Sequence, residues 1–325
     1  MSSLPPPRRL LASLLLAAVP GFLSAQDAAR APAPAYNVRA YGATGDGKTL
    51  DTAAINRAIE AASAAGGGTV ELPAGTYLSY SVRLRSNITL QLDAGSTLEA
   101  AATPPGGGPG YDDPEPNEWG DKFQYQDYGH SHFHNSLVWG ENLENVAITG
   151  PGRIYGKGLN RGAGGGGRRG AAAGPNGTTP PGRAPEGAGR GGPPREGGRG
   201  GGFPAAPSGA GNKSIALKNC HNVLLRDFSI LEGGWFGLLA AGVDNFTIDN
   251  VKVDTNRDGF DIDACRNTRI VNCSVNAPND DAIVLKSTYA LGELRACENI
   301  TITGCQVSGF DPGSFLDGTY QTAQE

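Results

Sequence analysis

The sequence predicts an all-β chain wound as a right-handed parallel β-helix, with a capping helix at its N-terminal end. Three observations carry that prediction. First, an asparagine followed by alternating apolar residues recurs as Asn145-Val-Ala-Ile148, Asn222-Val-Leu-Leu225, Asn245-Phe-Thr-Ile248, Asn267-Thr-Arg-Ile270 and Asn299-Ile-Thr-Ile302, with Asn87-Ile-Thr-Leu90 an earlier copy. Second, the intervals from 222 to 245 and from 245 to 267 are 23 and 22 residues, about one solenoid turn of short strands. Third, each copy puts apolar side chains three, six and eight positions after its asparagine, as in Leu225, Phe228 and Ile230, or Ile270, Cys273 and Val275. Leucine-rich repeats share the period, but their leucine pattern is missing.

Taken in order, the chain opens with the marks of an export signal over 1–25. Arg8-Arg9 is its positive end, Leu10 to Leu23 its apolar run, and Ser24-Ala25 its small-residue cleavage site. The run is too short to span a bilayer stably. The mature chain is therefore expected to be secreted or periplasmic, monomeric and without a membrane partner. Residues 36–325 then form one β-helix domain, its strands falling between about 68 and 320.

The domain's lead-in is YNVRAYGATGDGKT, ending in turn chemistry at Gly45-Asp46-Gly47. Asp51 is placed to cap a helix over 51–65, with Ile55, Ile59 and Ala62 on one face and Gly66-Gly67-Gly68 as its stop. Period-two alternation follows, broken by a turn at Pro73-Ala74-Gly75. A helix in this position can cover the open end of a solenoid.

Two intervals between repeats are long. The 32 residues from 267 to 299 imply an insertion of about ten near Thr288 to Ala296. The 77 residues from 145 to 222 hold a Gly/Arg/Pro-rich stretch over 162–211, whose composition cannot bury enough apolar surface to offset its ordering entropy. It is expected to be a disordered loop. Residues 161–212 carry seven Arg and two acidic residues, a net +5, so the rest of the chain carries −10. Arg-Gly-Gly tracts can bind RNA, but an export signal and a single Phe without interleaved aromatics exclude a nucleic-acid partner.

The five cysteines show no zinc-ribbon spacing, and neither a dinucleotide fingerprint nor a phosphate loop is present, so no cofactor is expected. Cys220, Cys265 and Cys297 each precede a repeat asparagine by two, and Cys273 and Cys305 follow one by six. Equal phase points to buried stacks of small side chains rather than to disulfides or ligands. His130, His132 and His134 would share one face of a strand. Without acidic residues at ligand spacing, they read as a surface column or a polar rim, and no metal is assigned.

The chemistry concentrates between Asp254 and Ser287. Asp258 and Asp280 are each the thirteenth residue after a repeat asparagine, and Asp281 adjoins the second. Equal phase would stack the two carboxylates on neighbouring rungs, about 4.8 Å apart. Carboxylates that close raise one another's proton affinity, which suits acid and base work. Strand alternation would turn Asp280 and Asp281 apart, so a bend at Pro278-Asn279 must bring both to one groove. Trp235 shares the thirteenth place after Asn222 and reads as a sugar-stacking platform, or else as core. The bland readings of the aspartates are solvated turns or a Ca²⁺ site.

At these residues the chain resembles glycoside hydrolase family 28, the polygalacturonases and rhamnogalacturonan hydrolases. Asn256-Arg257-Asp258 is similar to that family's Asn-Thr-Asp box, with Arg in place of Thr, and Asn279-Asp280-Asp281 through Lys286-Ser287 to its Asp-Asp box. The lead-in VRAYGATGDGKTLDTAAINRAIEAA and the stretch YQDYGHSHFHNSLVWGENLENVAITGPGRI resemble it as well. The resemblance implies a pectin-lyase-like solenoid that hydrolyses pectic polysaccharide, polygalacturonan or rhamnogalacturonan, with inversion. Asp280 would be its general acid, Asp258 and Asp281 would activate water, and Asn256, Arg257, Lys286 and Trp235 would bind substrate. The family's Gly-His-Gly and Arg-Ile-Lys boxes have no counterpart before Glu325, so a C-terminally truncated domain is expected. A spacing near 5 Å fits retention better than inversion. The rival readings are a polysaccharide lyase or epimerase on the same scaffold, and a carbohydrate-binding β-helix without catalysis.

Overall fold

Stacked rungs are what the repeat builds. The computed structural model describes residues 34–105, 108–116, 130, 132–160 and 208–308. The expected signal over 1–25, nearly all of the Gly/Arg stretch, and the strands expected beyond 308 lie outside those residues.

Three parallel sheets wind around one core. The first holds β1 (Ala35–Asn37), β3 (Gly68–Leu72), β6 (Ile88–Leu92), β9 (Glu144–Thr149), β12 (His221–Arg226), β15 (Asp244–Asp249), β18 (Arg266–Val271) and β21 (Glu298–Thr303). The second holds β2 (Asp46–Leu50), β4 (Gly75–Ser79), β7 (Ser96–Ala100), β10 (Arg153–Tyr155), β13 (Ser229–Leu231), β16 (Lys252–Asp254), β19 (Ser274–Asn276) and β22 (Gln306–Ser308). The third runs β5 (Val82–Arg83), β8 (Ser136–Glu141), β11 (Lys213–Lys218), β14 (Phe236–Ala241), β17 (Asp258–Asp263) and β20 (Ile283–Lys286). The fold is a right-handed parallel β-helix.

Register turns the repeat into interior columns. In the first sheet Val70, Leu90, Ile148, Leu225, Ile248 and Ile270 pair in succession, and Ile302, 44% exposed on the last described rung, continues the register. Leu98, Ile154, Ile230, Val253, Val275 and Val307 do so in the second. Val138, Ile215, Leu238, Phe260 and Ile283 form the third column. The third sheet differs from the others because β11, β14 and β17 are buried on both faces. Phe133 and Ala290 pack on its outer face against Ala216, Leu239 and Ala241.

The repeat asparagine has a structural cause. Asn87, Asn145, Asn222, Asn245, Asn267 and Asn299 all adopt left-handed backbone, with φ between 53° and 63°. Asparagine tolerates that conformation better than other residues with a side chain. Their amides also form a ladder: Asn145 donates to Asn87 (2.8 Å), Asn222 to Asn145 (3.1 Å), Asn245 to Asn222 (3.1 Å) and Asn299 to Asn267 (3.2 Å).

Helix α1 (Thr52–Ala64) buries Ile55, Ala58, Ile59 and Ala62 against β1, β3, β5 and β6, as its apolar face predicts. Gly67, at φ 124°, ends it where an added Cβ would sit 2.5 Å from the Asn87 carbonyl. One detail differs from expectation. Asp51 occupies the cap position, but its side chain makes no capping bond to the helix. Its buried carboxylate instead accepts the backbone N–H groups of Thr44 (2.7 Å) and Gly45 (3.0 Å), pinning the preceding turn.

Loop 287–297 is the insertion expected near Thr288. The end of the Gly/Arg stretch is not a loop in solvent: Gly209, Ala210 and Gly211 are buried, with Gly211 lying against the Tyr111 ring. The five thiols are free. Those of Cys220, Cys265 and Cys297 reach carbonyls of the preceding rung, Gly140, Ala240 and Ile262, at 3.5–3.7 Å. Among the described residues, no helix is long and apolar enough to cross a membrane.

The ladder makes a stability prediction. Asn245→Ala forces an ordinary residue into left-handed backbone and removes a ladder bond, and should cost about 1–2 kcal/mol. Asn245→Gly loses only the bond and should cost about half of that or less. Urea midpoints of the two variants provide the check, and equal losses would rule out the backbone explanation.

Candidate active site

The site forms where the second sheet turns into the third. β16 ends at Asp254 and β17 opens at Asp258, while the next rung runs from Asn276, the end of β19, to β20. That rung turns at Pro278-Asn279, closed by the Asp280 N–H donating to the Ala277 carbonyl (3.2 Å). The expected bend therefore exists, and it brings three carboxylates together. One oxygen each of Asp258, Asp280 and Asp281 lie within 4.8 Å of one another.

The columns differ from the expected ones by one residue. Phe260 pairs with Ile283 and Phe236 with Asp258, so Asp281 is the residue in line with Asp258. Gly259 donates to the Asp281 carbonyl (2.8 Å), and its lack of a side chain permits the approach, since a Cβ there would lie 2.4 Å from the Ala282 carbonyl. Two adjacent columns result. One is Phe236, Asp258, Asp281; the other, one residue earlier on each rung, is Trp235, Arg257, Asp280. The equal-phase pairing of Asp258 with Asp280 and Trp235 fails because the turn before β17 is one residue shorter than the turns before β14 and β20.

Arg257 links the second column. Its Nε and Nη2 both donate to Asp280 Oδ2, at 2.9 and 2.5 Å. Its Cζ lies 5.1 Å from the Trp235 ring centroid, and Nη2 is 3.8 Å from Asp258 Oδ2. Trp235 is 5% exposed and parallel to Phe236, with centroids 6.3 Å apart. It underlies the site as packed core, with its ring engaged by Arg257, rather than offering an open stacking platform. Asn256 is exposed and accepts from Asn279 Nδ2 (2.5 Å), beside a groove of about 500 Å³ lined by Arg153, Tyr155, Glu232 and Pro278.

A second charged cluster backs the triad. Asp261, fully buried on β17, receives Lys286 Nζ at 2.5 Å on Oδ2, and His130 Nε2 lies 2.8 Å from the same oxygen. Lys286 Nζ is also 2.7 Å from His130 Nε2. His130 packs edge-on to Phe236, with centroids 4.8 Å apart. The three histidines do not share a strand, since β8 begins only at Ser136. His134 lies elsewhere, stacked on Trp139 (4.0 Å) and bonded to Glu141 (2.8 Å). Asp261 and the contact with His130 escaped the sequence reading. Their signal is the alternation Asp-Ile-Asp at 261–263 on a strand otherwise fit for double-sided burial.

Burial and like charge divide the protons. Burial, then the charges of Asp280 and Asp261, pushes the Asp258 carboxyl well above the usual range. Burial, then Asp280, pushes Asp281 up to about 6. Burial acts upward on Asp261 too, but the bond and charge of His130, together with Lys286, outweigh it and hold that carboxyl low. Burial opposes the charge of Lys286, and Asp261, Asp258 and Asp281 outweigh it, raising its proton affinity. A protonated carboxyl beside an ionised one is the equipment of general acid–base catalysis. The triad also has the donor set of a cation site, but the Arg257 guanidinium already supplies positive charge to Asp280.

Comparisons with known proteins agree with this architecture. The family described as "Rhamnogalacturonase A/epimerase, pectate lyase-like" matches residues 35–136, and "Right handed beta helix region" matches 208–321. A family 28 exopolygalacturonase of Yersinia enterocolitica superposes with a TM-score of 0.57 at 21% identity, over 84% of this chain and 48% of that one. A hyperthermoactive exopolygalacturonase of Thermotoga maritima gives 0.56 at 23%, over 79% and 55%. Among curated relatives, mannuronan C5-epimerase AlgE1 of Azotobacter vinelandii is 69% identical over 42 residues, 13% of this chain and 3% of that protein. Exo-poly-alpha-D-galacturonosidase of Dickeya chrysanthemi is 44% identical over 62 residues, 19% and 10%. The chain spans about half the length of the two solved structures, and its matches cover a tenth or less of these two curated relatives. It carries a right-handed parallel β-helix, the fold that the second family model describes and these solved structures share.

The raised Asp281 carboxyl has a consequence for stability. Its folded proton affinity exceeds the unfolded one, so the stabilisation it gives is fully present below about pH 4 and is lost as pH rises through about 6. Asp281→Asn removes that loss. The variant should match the wild type near pH 4 and exceed it by about 1–2 kcal/mol at pH 7, after allowance for solvent screening. Urea unfolding at the two pH values tests this, and a gain independent of pH would count against it.

Proposed function

We propose that this chain hydrolyses glycosidic bonds of an acidic pectic polysaccharide, polygalacturonan or rhamnogalacturonan, with Asp258, Asp280 and Asp281 as its catalytic carboxylates. The observation that carries the reading is the triad itself: three carboxylates within 4.8 Å, two with raised proton affinity and the third bound to a guanidinium. One carboxyl gives its proton to the departing glycosidic oxygen. A carboxylate beside it takes a proton from the water that adds its hydroxide to the anomeric carbon. The names of the similar solved structures and of the Dickeya relative point to the same substrate class. Inversion at the anomeric carbon, a monomeric state and export from the cell complete the proposal.

A second reading, elimination or C5 epimerisation on the same scaffold, draws on the mannuronan epimerase match and on the wording of the N-terminal family. Products separate the two. Incubation with polygalacturonan and rhamnogalacturonan should release new reducing ends without a C4–C5 double bond absorbing in the ultraviolet. Asp258→Asn, Asp280→Asn and Asp281→Asn should each lower turnover by about two orders of magnitude or more, with oligosaccharide affinity changed less than about threefold. An unsaturated product would establish elimination. Near-normal turnover in any of the three variants would remove that residue from the mechanism.

A further inference from the structure

Arg257 stands where the resemblance has Thr, and its surroundings are unusual for a residue that would grip substrate. Its side chain is 20% exposed, and its fork lies on Asp280. Its charge lies over Trp235, which is itself packed against Phe236. The other oxygen of Asp280 accepts the Asp281 N–H at 3.2 Å. Both oxygens of Asp280 are thus met by donors, the arrangement of a carboxylate that accepts hydrogen bonds. The neighbouring column is different. Asp281 Oδ1 is buried and accepts no hydrogen bond among the described residues, and Asp258 is 3% exposed.

We propose that Arg257 is a positioning residue: it holds Asp280 as the water-activating carboxylate and leaves the transferable proton on the Asp258–Asp281 pair. The inference rests on the hydrolase reading above, and it divides the work differently from the family resemblance, which gives the acid to Asp280. The charged groups facing these carboxylates are Arg257 before β17, Asp261 on β17, Lys286 on β20 and His130 over the sheet. Lys286 and His130 are engaged with Asp261, so Arg257 is the cation bound directly to the triad among the described residues. The raised proton affinity of Asp258 and Asp281 agrees with this division.

Arg257→Gln and Arg257→Lys in the full chain test it. With Gln, the acidic limb of the kcat profile on polygalacturonan should move to higher pH, because the water-activating carboxylate loses the two N–H donors and the positive charge bound to it. Turnover should fall about 10- to 100-fold with KM changed less than about threefold, and Lys should bring the limb at least halfway back. A raised KM with an unmoved limb would make Arg257 a substrate ligand, and lower turnover with lower thermal stability but an unmoved limb would make it merely structural; either overturns the proposal. If the wild type cleaves neither polymer, the hydrolase reading fails and an unfolding cycle still decides on Arg257. Asp280→Asn should stabilise the Arg257→Gln chain more than the wild type, since it relieves repulsion only where the cation is gone. Equal shifts of the urea midpoint in the two backgrounds would sink the inference.

Discussion

Parallel strands stacked in register at one strand spacing are the constraint on which everything else here depends. In such a solenoid a residue's neighbours are set by the length of the turn between its strand and the strand before it. The core tolerates this easily, because its columns are interchangeable aliphatic side chains such as Ile148, Leu225, Ile248 and Ile270. The site does not. One residue more before β20 than before β17 separates Asp258 and Asp281 from Arg257 and Asp280. Without it, Asp280 would fall in line with Asp258, and Arg257 would face the proline turn.

The same constraint explains how so much charge is kept at a buried place. Burying ionised groups is costly unless each finds a partner. Asp261 is fully buried and is met by Lys286 and His130, and Asp280 is met by Arg257. Among the described residues, Asp258 and Asp281 have no cation of their own at hydrogen-bonding distance, and the response is a higher proton affinity rather than a further ion pair. In the proposed mechanism, carboxylates in these unlike environments on neighbouring columns would supply an acid and a base from one residue type.

Much of the fold was legible because the repeat is repeated for a physical reason. Asn222, Asn245 and Asn267 are needed at left-handed positions and sit one turn apart, so counting asparagines counts rungs. Helix α1 was legible from Ile55, Ile59 and Ala62 at helical spacing. The gathering of Asp258, Asp280 and Asp281 was legible too, but their order was not. Counting thirteen residues from an asparagine in the first sheet crosses two turns before reaching the third, and a turn that gains one residue shifts every later phase. Trp235 keeps its place in line with Asp280, but it is packed against Phe236 and covered by Arg257, so it is the floor of the site and not a stacking platform. His130 and Asp261 are 131 residues apart, and no local pattern announces that the fold will bring them to 2.8 Å.

The scaffold by itself does not choose among reactions, since superposition at 21% and 23% identity establishes the path of the backbone and nothing finer. The choice rests on what the columns hold. Hydrolysis needs a proton for the departing oxygen and a base for water, and three crowded carboxylates with one cation among them supply both. Elimination needs a base at C5 and a cation to neutralise the sugar carboxylate. Among the described residues, Arg257 is engaged with Asp280, and the other side chains that could serve, Lys286 and His130, are engaged with buried Asp261. Releasing either would leave Asp261 buried and short of a partner, at a cost the triad's own chemistry avoids. The charge pairing on the outer face of the third sheet is thus a reason to prefer the proposed hydrolysis, which uses the aspartates beside it.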